Sequence, residues 1–193
     1  QQNEENEDRN KTQISDVNAD IHIQDLCFKY DGARPDYVLN DINLTIPKNR
    51  VTAIVGASGS GKTTLIKLML GFYEPNQGDI SIGNENLSTF NLTWWRSQCG
   101  TVMQEGYLFS DTIARNIAIS DDDIDLKRLR YAARVANIAD YVEALPLAYN
   151  TKIGQDGQGV SQGQRQRILI ARVVYKNPQY IFLDEATNAL DAN

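Results

Sequence analysis

The chain has 193 residues, 41% of them hydrophobic, with 19 Lys and Arg against 25 Asp and Glu, a net charge of −6 and a pI of about 4.8. This length suits one domain with a real core, and the acidic balance argues against a dedicated nucleic-acid binder, which needs a basic face. No apolar run approaches the roughly 20 residues that span a bilayer, the polar N-terminus is no signal peptide, and Cys27 and Cys99 are too few for a disulfide framework and read as reduced core residues.

Residues 1–19 are polar and charged and read as a disordered linker or tail. Order is expected from residue 20 onward. Residues 21–30 start with apolar–polar alternation and predict a strand. Gly32 and Pro35 punctuate a turn over 31–36, and 37–46 predict a second strand stopped by Pro47. Residues 51–55 (VTAIV) are short, β-branched and apolar throughout, the pattern of a strand buried on both faces of a parallel sheet. Residues 62–70 predict a helix ending at Gly71. Residues 79–82 predict a strand with a turn at Gly83 and Asn84, and 99–103 another strand. A helical pattern covers 124–144 with a break near Asn137. Asp121 to Asp123 read as a solvated helix start, where acids are favoured. Residues 161–175 predict a helix and 179–183 a further buried strand. Strands alternating with helices imply an α/β core with right-handed crossovers, and the mostly helical stretch 85–160 predicts a lobe of its own.

Three segments carry chemistry. The first is Gly56-Ala57-Ser58-Gly59-Ser60-Gly61-Lys62-Thr63-Thr64, which fits G-x-x-x-x-G-K-[ST] between an expected strand and an expected helix. Its glycines let successive N–H groups point into one concavity at a positive helix N-terminus, which suits a polyphosphate. Lys62 adds a charge for the β- and γ-phosphates, and the Thr63 hydroxyl suits Mg²⁺, which takes oxygen ligands. The second segment ends the strand at 180–183 with Asp184 and Glu185. Taken alone, two acids at a strand end can be solvated side chains. Beside a phosphate loop, Asp184 reads as a Mg²⁺ ligand through water, and Glu185 as the group that polarises the attacking water. The third is Val160-Ser161-Gln162-Gly163-Gln164-Arg165-Gln166-Arg167, where Ser161 and Gln164 have the spacing of a capping box. A Gly-containing helix start is also an anion site.

Together with Asn188-Ala189-Leu190-Asp191, these motifs over residues 20–193 resemble the ATP-binding cassette (ABC) ATPases. The resemblance implies a P-loop NTPase core with a parallel sheet, an antiparallel β-subdomain and a helical subdomain. It implies ATP and Mg²⁺ as ligands and ATP hydrolysis as the activity. Tyr30 is implied as the aromatic that stacks on adenine, and Gln104 as the glutamine that senses Mg²⁺ and the attacking water. Ser161, Gly163 and Gln164 match the signature motif, which contacts the γ-phosphate held by a second copy in a head-to-tail dimer. Residues 188–191 match the loop crossing that interface. A monomer is expected without ATP.

Two departures stand out. The usual signature L-S-G-G-Q is V-S-Q-G-Q here, with Gln162 in place of a glycine, a variant similar to that of peptide and bacteriocin exporters. The family's switch histidine lies some thirty residues past the Asp191 position, so a chain ending at Asn193 is expected to be truncated before it; His22 reads as an exposed strand residue. Residues 107–117 resemble the exporter branch near its membrane-domain contact. Gln155 stands where exporters often carry an acid. The implied protein is the ATPase motor of a peptide exporter at the cytoplasmic face of the membrane. Its partners are a second copy and a transmembrane domain preceding the polar tail in the same polypeptide, with no nucleic acid. The alternative is a soluble cassette ATPase not linked to transport. A DNA-repair type needs a long coiled coil between the phosphate loop and the signature, and the interval from Lys62 to Ser161 leaves no room for it.

Overall fold

The computed structural model describes residues 18–32, 36–103, 106–119, 121, 123–154 and 159–184. The tail over 1–17, Gln104, Asp122, Gln155, Glu185 and residues 188–191 lie outside the described residues. The chain divides into two compact units, Gln1–Cys99 and Gly100–Asn193.

The first unit contains strands β1 (Ile21–Phe28) and β2 (Leu39–Ile46), helix α1 (Lys62–Met69), strands β3 (Gln77–Ile82) and β4 (Glu85–Asn86), and helix α2 (Leu92–Gln98). Its sheet runs β2-β1-β3-β4 with every neighbour antiparallel. In β1, the sequence alternates as far as Ile23, then places two polar residues, Gln24 and Asp25, before Leu26. The ladders shift register at this point against both β2 and β3. The bulge absorbs the extra residue, so Ile21, Ile23 and Leu26 stay buried while Gln24 and Asp25 are exposed. Asp25 adopts φ +48, and its N–H donates to the side-chain Oδ1 of Asn43 at 2.9 Å.

Helix α1 ends as its sequence dictates, with Gly71 at φ +67 just past the last turn. Its terminal carbonyls have no partner within the helix, and α2 supplies donors from two side chains. The buried Trp95 indole donates to Met69 O at 2.9 Å. The Arg96 guanidinium donates to Leu70 O and Gly71 O at 3.1 and 2.7 Å, a cation at the negative end of a helix. Cys27 and Cys99 are free and buried. One expectation fails. Residues 51–57 join no ladder, and Val51 and Val55 are 99% and 89% exposed. A β-branched run gains from strand geometry only when a neighbour supplies ladder bonds and cover, and no described residue pairs with it.

The second unit opens on strand β5 (Cys99–Val102), which starts at the boundary. It continues through β6 (Asp111–Thr112), α3 (Ile113–Ile117), α4 (Leu126–Val135), α5 (Ala139–Glu143), β7 (Lys152–Ile153), α6 (Gln162–Lys176) and β8 (Tyr180–Leu183). Strand β5 pairs with β8 and β6 with β7. Helix α6 packs against α4 and α3 around Ile113, Ile117, Leu129, Ala132 and Ile168. The expected helix over 124–144 divides at Asn137, which takes φ +54. Asp125 caps α4 by accepting from the N–H groups of Lys127 and Arg128.

Two expectations need correction here. Asp121 is no merely solvated acid, because the Tyr175 hydroxyl donates to its carboxylate at 2.7 Å. The buried phenol needs an acceptor, and Asp121 provides one. Strand β8 is buried on one face only: Phe182 is 8% exposed, while Ile181 and Leu183 are 55% and 52% exposed. Side chains alternate across a strand, and no described residue covers the second face.

Asn116 is fully buried and fixes the segment before α3. Its carbonyl oxygen accepts from Phe109 N at 2.8 Å. Its amide nitrogen donates to Phe109 O and Thr112 O, both at 3.0 Å. Asn116→Ala would remove the acceptor of Phe109 N and the donor to Phe109 O and Thr112 O from a fully buried position. The expected cost is about 2–3 kcal/mol, read as a lower denaturant midpoint at unchanged slope.

Candidate functional site

The first unit assembles a tight turn from small residues ahead of α1. Gly56, Ala57, Ser58, Gly59 and Ser60 lead to Gly61, the N-cap of α1, which sits at φ 90 and ψ 7 and makes no side-chain cap. A Cβ at Gly61 would stand 2.7 Å from the Leu39 Cδ2 methyl, so sterics and backbone conformation both demand glycine. The first N–H groups of α1 have no intrahelical partner and meet the positive end of the helix. Ser60 N donates to Ala57 O at 3.2 Å and holds the turn closed.

Lys62 Nζ donates to the carbonyls of Gly56 and Ala57 at 3.0 and 2.8 Å. Its ammonium is therefore folded back over the loop, close to the N–H groups it would serve with a phosphate. Thr63 and Thr64 follow in the first turn, and Thr64 is buried. A glycine-lined turn at a helix N-terminus with an ammonium above it fits a polyphosphate.

The structure brings Tyr30 to this turn. The Tyr30 hydroxyl and Thr64 Oγ1 are hydrogen-bonded at 3.0 Å. The Tyr30 ring also meets Phe28 edge to face at a centroid distance of 5.0 Å, and Tyr73 at 5.3 Å. An aromatic ring and a phosphate-type turn thus share one side-chain contact. Tyr73 carries no periodicity or motif signal in the sequence, where it falls in the connection between α1 and β3. Sequence reading missed it for that reason.

In the second unit, Ser161 caps α6. Its hydroxyl accepts from Gln164 N at 3.2 Å, and its own N–H donates to Gln164 Oε1 at 2.8 Å, so the capping box read from the sequence is closed. Gly163 lies in the first turn. Nine residues on, in the same helix, Arg172 donates to the backbone oxygens of Asn116 at 2.8 Å and Tyr107 at 3.1 Å. Burial pushes its guanidinium down to about 10, which still leaves it charged at neutral pH. Arg172 therefore ties α6 to the segment bearing the exposed rings of Tyr107 and Phe109. Nothing in the sequence marks Arg172 apart from the other arginines of α6.

Asp184 ends β8, is 4% exposed, and is anchored by its N–H donating to Val102 O at 2.8 Å. Gln104, Glu185 and residues 188–191, the remaining expected site residues, lie outside the described residues. Among the described residues no three His, Cys, Asp or Glu side chains cluster. Thr63 in the first unit offers a hydroxyl and Asp184 in the second a carboxylate, each a hard oxygen donor of the kind Mg²⁺ takes.

The profile of the ABC transporter family matches residues 39–188. ABC transporter B family member 13 of Arabidopsis thaliana is 41% identical over 181 residues, covering 94% of this chain and 14% of that protein. The exotoxin translocation ATP-binding protein PaxB of Pasteurella aerogenes is 41% identical over 94% of this chain and 25% of its own length. Among solved structures, a bacterial Atm1-family ABC exporter with ATP bound superposes at a TM-score of 0.88 and 35% identity, over 95% of this chain and 32% of that one. The chain thus spans between about a seventh and a third of these relatives. No helix among the described residues is long and apolar enough to cross a membrane. With the phosphate-loop turn, the capped signature helix and these matches in agreement, the chain belongs to the ABC transporter family and has the fold of its ATP-binding ATPase domain.

Proposed function

We propose that this chain is the ATP-hydrolysing motor of a membrane exporter with a peptide cargo, working as a head-to-tail dimer at the cytoplasmic face of the membrane. The observation that carries this reading is the Tyr30–Thr64 hydrogen bond. It joins an aromatic ring to the turn that fits phosphates, so that a nucleotide's two chemically unlike ends are served side by side. The exporter part is supported by the similarity to proteins named for toxin translocation and to an Atm1-family exporter.

In this reading, Tyr30 stacks on adenine, and the backbone from Gly56 to Thr64 with Lys62 holds the phosphates. Thr63, and Asp184 through water, hold Mg²⁺, which when bound neutralises phosphate charge. Gln104 and Glu185 orient and polarise the attacking water. Ser161, Gly163 and Gln164 of a second copy close over the γ-phosphate. Gly163 itself supports that last role. A Cβ there would meet no atom of the described residues within 4 Å, so packing among them does not call for glycine. Close approach of a ligand held by another copy does. Hydrolysis removes the bridging charge, and the difference in ATP affinity between closed and open dimers moves the membrane part.

Three outcomes follow. Lys62→Ala is expected to weaken ATP binding at least tenfold by equilibrium titration; unchanged binding would remove Lys62 from the phosphate site. Gly163→Ala improves helix propensity and should leave the melting temperature unchanged or higher, while ATPase activity of the full-length protein falls at least tenfold. Retained activity would mean that nothing approaches that turn closely. In inside-out vesicles carrying the full-length protein, Glu185→Gln should bind ATP, lose about 10²–10⁴-fold in turnover, and abolish ATP-driven peptide uptake. Full turnover in that variant would sink the assignment of the water-polarising base. Wild-type vesicles that hydrolyse ATP and move no peptide would sink the peptide-exporter reading.

A further inference from the structure

We propose that Tyr73 and Thr64 are positioning residues for the adenine base: between them they fix the Tyr30 ring, so that base stacking and phosphate capture act as one site. The inference rests on the reading of Tyr30 as the base platform and goes beyond it. A tyrosine ring on its own can rotate about χ1 and χ2, and a mobile platform loses part of its stacking energy to ordering on binding. Tyr30 lies two residues past the end of β1, so the ladder does not hold it.

Three contacts replace the ladder. The hydroxyl is bonded to Thr64 Oγ1 at 3.0 Å. The ring stands nearly perpendicular to Phe28, at 83°, and to Tyr73, at 88°. Perpendicular pairs at these separations are the favoured aromatic geometry. Phe28 is buried in the sheet core, whereas Tyr73 is 41% exposed, so core packing does not account for Tyr73 as it does for Phe28. Phe28 and Tyr73 also touch one another, at 5.5 Å, and the three rings form a closed triangle.

Thr64 adds the second link. It is the residue after Thr63 in the turn that takes the phosphates. A threonine hydroxyl has one proton and two acceptor lone pairs. With Tyr30 donating, the Thr64 proton remains available. The distance from base platform to phosphate turn is thereby set by one short side-chain bond rather than by the intervening chain from residue 31 to residue 63.

The test compares two probes in the full-length protein with Mg²⁺: ATP, and inorganic tripolyphosphate, which has no base. Tyr73→Leu and Tyr30→Phe should each raise the Kd for ATP about threefold to tenfold, the span of one aromatic pair or one hydrogen bond. The Kd for tripolyphosphate should not move. Tyr73→Phe keeps the ring and should restore the wild-type ratio. Thr64→Val and Tyr30→Phe remove the same bond, so the double variant should shift the ratio no further than either single one. Equal losses for both probes in Tyr73→Leu, or an unchanged ATP Kd, overturn the positioning role. Tyr30→Ala separates the two levels. If it shifts the ratio and Tyr73→Leu does not, the positioning role alone falls. If Tyr30→Ala leaves the ratio unchanged, the base-platform reading fails and the positioning role falls with it.

Discussion

A methyl group at residue 61 would stand 2.7 Å from Leu39 Cδ2 and 3.2 Å from Val38 O, and the backbone there is left-handed. Much of the first unit's chemistry depends on that lack of room. The close approach brings the start of β2 against the start of α1. It leaves the N-cap of α1 without a side chain that could occupy its N–H groups, and it puts Thr64 within reach of Tyr30 at the end of β1. A Ser, Thr or Asp side chain at a helix N-cap is worth only about a few tenths of a kcal/mol over Gly, and it would occupy N–H donors at the helix start. Side-chain capping and an open helix start exclude one another at this residue, and Gly61 keeps the start open.

Helix α6 resolves the same competition differently. Its N-terminus is fully capped by the Ser161–Gln164 box, a stabilising device, with Gly163 two positions past the cap. Rigidity is then worth keeping along the whole helix. Leu169, Ala171, Val173 and Tyr175 are buried, and Arg172 is held by carbonyls of two segments. Arg172 thus ties this fifteen-residue helix to the Tyr107–Phe109 segment. Asn116 makes that segment stiff in turn, since its amide closes on the backbone of Phe109 and Thr112.

The parts of this arrangement governed by local rules were legible from sequence. The turn from Gly56 to Thr64, the capping box at Ser161, the glycine stop at Gly71 and the break at Asn137 each follow from which residues tolerate which backbone conformations. Those preferences are short-range. The parts governed by contacts between distant segments were not legible. Tyr73 reaches Tyr30, Arg172 reaches Tyr107, and Trp95 reaches Met69 through side chains whose targets have no fixed sequence spacing. The run Val51 to Val55 shows the opposite failure. Its β-branched composition states a preference for a buried strand, but the preference is realised only against a neighbour, and composition cannot say whether one is present.

The lysine of the phosphate turn illustrates why such a site can remain formed without its ligand. An unpaired ammonium beside a helix N-terminus would be repelled by the positive end of the dipole. The carbonyls of Gly56 and Ala57 remove that problem by accepting from Nζ, which a turn can do only if its carbonyls are free of ladder bonds. Residues 51–57 are free of them. When a polyphosphate binds, the ammonium exchanges two neutral acceptors for charged oxygens, and charge-assisted hydrogen bonds are roughly twice as strong. The gain on binding is the difference between those two sets of bonds rather than the whole of the second. Held by the Gly56 and Ala57 carbonyls, the lysine gains on binding a polyphosphate only the difference between neutral and charged acceptors.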